Sequence, residues 1–270
     1  MIQQRAQLLF QQGKLKGNLR DSIGRDAAAV AFVIDLQPED TLCLWNGDLV
    51  PAFVKGASIE EWFRAFATIR NDDSPKEFPN QNAGFGRLNI VTASNASEQI
   101  GAIRELALAA KGNNSTNVVV VFPAPRPQLR ARWEAAMKLA ASKGLPVVFV
   151  VHGIWRAAKN PAGREALLNG IPAISVDGSD AVAAYRVACE ATIRARQRRG
   201  PTLVECISLS QTSEADRIHL QTGGDQFPID PGLAMRDYLK RKGLWSEESF
   251  RQKVADIERE LDMATRFLKQ

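Results

Sequence analysis

Four short apolar runs limit the folds open to this chain: "NVVVVF" from Asn117, "LPVVFVV" from Leu145, "AISVD" from Ala173 and "TLVECISL" from Thr202. Each is β-branched and close to continuously apolar, the pattern of strands covered on both faces. Helical segments are predicted between most of them, at about Pro127–Ser142 and Asp180–Arg199, with a shorter piece near Ala162–Leu168. Strand–helix alternation of this kind implies a mainly parallel sheet with right-handed crossovers, flanked by helices. The fold class is therefore α/β, and residues 1–270 read as a single domain without repeat or linker.

Outside that core the chain is predicted to be helical. The first third is helical in character, and "SIEEWFRAFATIR" opens on a capping box, Ser58 with Glu61. "NDDSPKEFPNQN", Asn71 to Asn82, reads as an exposed loop, and "AGFGRLN" leads into an extended segment. Ser94–Lys111 carries Ile100, Ile103, Leu106 and Ala110 at helical spacing. From Ser246 the positions Phe250, Val254, Ile257, Leu261, Ala264 and Leu268 mark an amphipathic docking or core helix.

Composition narrows the function classes. Apolar residues make up 45% and charged ones 24%, an ordinary globular balance, and no apolar run reaches the length of a membrane span. With no signal-peptide pattern at "MIQQRAQLLFQQGK", the expected location is cytoplasmic. Cys43, Cys189 and Cys206 are odd in number and widely spaced, which argues for reduced thiols, and two histidines are too few for a histidine metal centre. The net charge of +5 invites a nucleic-acid reading. Much of the local basic density, however, is "RARQRRG", read as the solvated end of a helix with Gly200 as its C-cap. No aromatic interleaves it, so no nucleic-acid partner is expected.

Ligands in such sheets bind beyond the carboxyl ends of the strands. Two of those ends read "FPAPRP" and "VHGIW". Arg126 could hold an anion there and His152 could move a proton, although a solvated arginine and a hydrogen-bonded loop histidine are the favoured readings. There is no Walker loop, no dinucleotide fingerprint and no nucleophile elbow.

The second half resembles a known family. "GIPAISVDGSDAVAAYRVACEATIRARQRRGPTLVECI" is similar to the alpha subunit of thiamine-diphosphate-dependent 2-oxo acid dehydrogenases of the pyruvate and branched-chain type. The shared elements are Gly170-Ile171-Pro172, Val176-Asp177-Gly178-Ser179-Asp180 and Gly200-Pro201-Thr202-Leu203. "DPGLAMRDYLKRKGLWSEES" looks like the family's closing helix and Gly-Leu-Trp turn, and "LLFQQGKLKGNLRDSIGRDAAAVAF" like its opening segment. The resemblance implies a thiamine-diphosphate-binding fold that works as a homodimer, or as a heterotetramer with a beta-like subunit.

The same resemblance points to a degenerate site. The family's magnesium-binding Gly-Asp-Gly falls at Ala124-Pro125-Arg126, and its Asn-Asn pair at Gly153-Ile154. Its Tyr-Arg-Asp-His run falls at Asn46-Gly47-Asp48-Leu49, where only Asp48 matches. His219 and Asp225 survive in "IHLQTGGDQ", but about ten residues are missing before Asp230. Proline in place of the aspartate supplies neither a carboxylate nor a backbone N–H, and magnesium requires oxygen ligands. The expectation is a structural or regulatory pseudoenzyme subunit with no cofactor and no metal. Asn46, Asp48, Arg126, His152, Gly153 and His219 would then line a vestigial pocket. The alternative is an active thiamine-diphosphate-dependent subunit whose site is atypical or completed by a partner chain.

Overall fold

The valine-rich runs form the middle of one sheet. The computed structural model describes residues 1–15, 26–45, 48–67, 86–93, 96–112, 115–123, 130–153, 169–207 and 230–266. Its strands are β1 (Thr41–Trp45), β2 (Ile90–Ala93), β3 (Val119–Val121), β4 (Val147–Gly153), β5 (Ala173–Asp177) and β6 (Thr202–Ile207). They lie in the order β2-β1-β3-β4-β6-β5, and every pairing is parallel. All four expected strands are present, but the first third also supplies β1, so that region is not purely helical. β5 differs from the expectation of two covered faces. It is an edge strand, and Ser175 and Asp177 in it are exposed.

The described helices are α1 (Ile2–Gln11), α2 (Asp26–Val33), α3 (Leu49–Val54), α4 (Ile59–Ala67), α5 (Ala96–Gly112), α6 (Arg130–Lys143), α7 (Ala181–Arg196), α8 (Pro231–Arg241) and α9 (Glu247–Ala264). They cover both faces of the sheet. On one face α5 and α6 bury Ile103, Ala107, Met137 and Ala140 against Val119, Val121, Val147 and Phe149. On the other, α1, α2, α4, α7 and α9 cover Leu42, Leu44, Val120, Val148, Val150 and Val204. Strand alternation assigns these two sets to opposite faces. Leftward crossovers such as β1 to β2 use the second face and rightward ones such as β3 to β4 use the first, as a single crossover hand requires.

Helix α2 is alanine-rich because it lies directly on α7. Ala27, Ala28, Ala29 and Ala31 of α2 are buried, as are Ala184, Ala188, Ala191 and Ala195 of α7, spaced 4-3-4 on one stripe. α4 begins as its sequence predicts. Ser58 N–H donates to Glu61 Oε2 at 2.8 Å, and Glu61 N–H donates to Ser58 Oγ at 3.1 Å. Arg87, in the 3-10 turn Gly86–Leu88, reaches back to Glu61 Oε1 at 2.7 Å. In the closing segment, Asp230 caps α8, Gly243 takes φ +68° after it, and Ser246 caps α9.

The run "RARQRRG" is not simply a solvated helix end. Arg196 closes α7 and forms an ion pair with Asp40, which is fully buried. The two carboxylate oxygens of Asp40 also accept from Gln37 N–H at 2.7 Å and Val118 N–H at 2.9 Å. Arg196 donates further to Thr116 O at 3.1 Å and to Gln37 Oε1 at 3.2 Å. Nor is Gly200 the C-cap: Gln197 takes that position, and Arg198 adopts φ +59° immediately after it.

Two outcomes follow from these contacts. Asp40→Ala should cost about 3 kcal/mol or more in chemical denaturation, because it strands a guanidinium and two strand-entry N–H groups. Arg199→Ala should stay within about 0.5 kcal/mol. Hydrogen bonding from Arg87 and then from Ser58 holds the Glu61 carboxyl below the ordinary glutamate range. A lowered folded-state value stabilises the fold above the ordinary range, and that contribution is lost as pH falls through the lowered value. The melting-temperature gap between wild type and Glu61→Gln should therefore be present at pH 7 and close on acidification.

Candidate functional site at the carboxyl edge of the sheet

The strand order singles out one crevice. In a parallel sheet the ligand site opens where neighbouring strands send their crossovers in opposite directions. β1 continues to β2 on one side, β3 continues to β4 on the other, and β1 and β3 are neighbours. The crevice therefore lies between their carboxyl ends, where Cys43 is in register with Val121. The residues that leave those ends are 46–48 after β1 and 122–126 after β3.

A buried amide fixes the floor of this crevice. Phe122 N–H donates to Cys43 O at 3.0 Å, which extends the β1–β3 ladder past β3. The Gln99 side chain, fully buried in the first turn of α5, donates to Phe122 O at 2.9 Å. It also bonds the Cys43 thiol. Burial pushes that thiol up to about 12, and the Gln99 bond offsets only part of the rise. Gln99 thus joins β1, β3 and α5 at one point. Sequence reasoning missed it, although the signal was present: Gln99 occupies the stripe that continues as Ile103 and Ala107.

The sequence-predicted residues divide in two. Asn46, Arg126 and His219 lie outside the described residues, as do Asp225, Pro125 and Ile154. Asp48 is half-buried at the N-cap position of the short helix α3, next to the crevice. His152 and Gly153 are the last residues of β4, so His152 is a strand residue and not a loop histidine. Its ring stacks on Phe122 with centroids 6.3 Å apart and planes 21° from parallel. His152 is in register with Cys206 and Gly153 with Ile207 on β6. Phe122 thus links His152 to the β1–β3 crevice.

The Val-Asp-Gly-Ser-Asp motif shapes the far end of the same edge. Asp177 Oδ1 accepts from Ser179 N–H at 2.8 Å and from Ser179 Oγ at 2.6 Å, a turn that ends β5. Asp180 then caps α7 by accepting from Val182 and Ala183 N–H at 2.9 and 3.0 Å. Gly178 donates to Ile207 O at 2.7 Å, and a Cβ on it would lie 3.1 Å from Cys206 Cβ. Only hydrogen fits there without displacing β6. Burial, with Glu205 and Asp177 nearby, pushes the Cys206 thiol up to about 12.

These described residues do not make a magnesium site. Among them no cluster of three or more histidine, cysteine or acidic side chains could hold a metal ion. At the crevice they offer an amide, an imidazole and the single carboxylate of Asp48. No helix of the described residues is long and apolar enough to cross a membrane.

A wholly parallel sheet, helices on both faces and a switch point at the carboxyl edge define an α/β protein of the doubly wound class. The chain belongs to the dehydrogenase E1 component family, whose model matches residues 1–270. It is 26% identical over 264 residues to a pyruvate dehydrogenase E1 component subunit alpha of Staphylococcus aureus, covering 92% of this chain and 69% of the relative. The subunit of the same description from Bacillus subtilis is 24% identical over 285 residues, covering 98% and 73%. A solved chain from Mycobacterium smegmatis, described as thiamin diphosphate-dependent, overlays with a TM-score of 0.43 and 14% identity, over 69% of this chain and 32% of that one. The family match overturns the expectation that this protein takes no cofactor: a member of this family is expected to use thiamine diphosphate. That expectation treated motif loss as cofactor loss, whereas the family match spans the whole chain despite those substitutions.

The floor of the crevice can be tested directly. Gln99→Leu should cost about 1–3 kcal/mol by leaving the Phe122 carbonyl buried and unpaired. In native wild-type protein a thiol reagent should label Cys189 first, with Cys43 and Cys206 protected until unfolding. Early labelling of Cys43 in the Gln99→Leu variant would report an opened floor.

Proposed function

We propose that this chain is the alpha-type subunit of a thiamine-diphosphate-dependent 2-oxo acid dehydrogenase, an oxidoreductase component that decarboxylates its substrate, and that a beta-type chain completes its site. The supporting observation is the sheet order. The switch point opens between the carboxyl ends of β1 and β3, and in the sequence those strands lead into two of the segments to which the resemblance assigns diphosphate and metal contacts, Asn46-Gly47-Asp48-Leu49 and Ala124-Pro125-Arg126. Two criteria of independent origin, topology and motif position, thus select one crevice.

On this reading the cofactor supplies the carbanion chemistry, and this chain binds and orients one end of it. Asp48 is the N-cap of α3 just after β1, His152 is a nearby group able to carry a proton near neutral pH, and Gln99 ties the ends of β1 and β3 together. Asn46, Arg126, Gly153 and His219 are further candidates for this site. Among the described residues no set of three or more histidine, cysteine or acidic side chains could hold the metal unaided. Residues 1–270 act as one domain, in the cytoplasm, within a dimer or an alpha–beta heterotetramer.

The test is calorimetry on this chain assembled with a beta-type partner, titrated with thiamine diphosphate in the presence and absence of magnesium. The expected result is magnesium-dependent binding at about micromolar strength by the assembled pair, weaker or absent for this chain alone. A stable assembled pair that gives no isotherm would sink the reading and leave a structural or regulatory role.

A further inference from the structure

The basic run at the end of α7 is unused by the proposed site and lies at the opposite, amino edge of the sheet. α5, α6 and α7 all end there, carrying Lys111, Lys143 and Arg194 in their last turns. The contacts between these ends are direct. The Lys111 ammonium donates to Lys143 O, Arg198 donates to Ser115 O at 3.3 Å, and Arg194 donates to Arg199 O at 2.8 Å. A Cβ on Gly200 would lie 3.8 Å from the Cα of Gly144, which follows Lys143. Lys111, Lys143, Arg194, Arg198 and Arg199 therefore share one surface around the starts of β3, β4 and β6.

None of these five forms an ion pair with a carboxylate of the described residues; in the run itself only Arg196 does, with Asp40. The whole chain carries 35 cationic and 30 acidic side chains, an excess of five. Five cations without a carboxylate partner among the described residues thus share one surface of a chain that is itself net positive. The partial negative charge of three helix ends disfavours a small anion bound tightly at this place, and Lys111, Arg194 and Arg198 already donate to backbone carbonyls there. A broad contact with distributed negative charge fits better. No ring interleaves Arg194–Gly200 for base stacking, which favours polypeptide over nucleic acid.

We propose that this amino-edge face docks an acidic polypeptide segment of a partner protein, separately from the carboxyl-edge site. Contact is electrostatic and graded by salt. The exposed side chains of Lys143 and Arg199 make no hydrogen bond or ion pair among the described residues, so they can be changed without loosening the fold.

The probe is fluorescently labelled poly-glutamate, titrated against the full chain by anisotropy. Binding should weaken about tenfold between about 50 and about 200 mM salt. At the lower salt the Lys143→Gln/Arg199→Gln variant should bind at least about threefold more weakly, as expected for two lost surface ion contacts. A control of equal charge change, Lys14→Gln/Lys253→Gln, should bind like wild type. Failure of the wild type to bind, an equal loss in the control, or tighter binding of duplex DNA than of poly-glutamate would each overturn the proposal. None of these outcomes bears on thiamine diphosphate binding, which is read separately.

Discussion

The Asp40–Arg196 pair is the contact on which the rest of the architecture depends. A carboxylate with no solvent exposure needs its oxygens filled, and here they are filled by one guanidinium and by backbone N–H groups entering β1 and β3. The same arginine ends α7, whose alanine stripe carries α2. One ion pair thus sets the spacing of two central strands and anchors the helix pair on one face of the sheet. Burying charge brings little net stability over an apolar contact, so its effect is better understood as fixing a unique arrangement.

That anchor lies at the amino edge, which leaves the carboxyl edge available for function. There the constraint is a neutral amide, Gln99, and not a charge. An amide can tie strand ends together without imposing a field on the crevice, whereas a carboxylate at the same point would compete for any cation or repel a diphosphate. The two ends of one sheet therefore have different physics: charge pairing for order at one, neutral hydrogen bonding and a stacked imidazole at the other. The switch point opens between the carboxyl ends of β1 and β3, on this neutral side of the sheet.

Local information in the sequence was enough for the elements whose stability is local. The capping box at Ser58 and Glu61 and the valine runs of β3 and β4 could be read because each rests on neighbours within a few residues. β1 was missed because five residues between helices have too little periodicity to declare a strand; only pairing with β2 and β3 makes "TLCLW" one. β5 looked as apolar as its neighbours, yet strand order made it an edge, which no single run can encode.

What the sequence determined alone was the alternation of strand and helix, the hand of its crossovers and, through its motifs, the family. The tertiary structure decided which strand ends meet and which polar side chains are buried. Asp40 and Arg196 are 156 positions apart, so Arg196 read as solvated until its partner was in place. Gln99 drew no reading from the sequence at all; only the packing of α5 against β1 and β3 gives its amide a role. In both cases the physical reason is the same: a polar group's role depends on the partner that replaces water around it, and long-range packing supplies that partner.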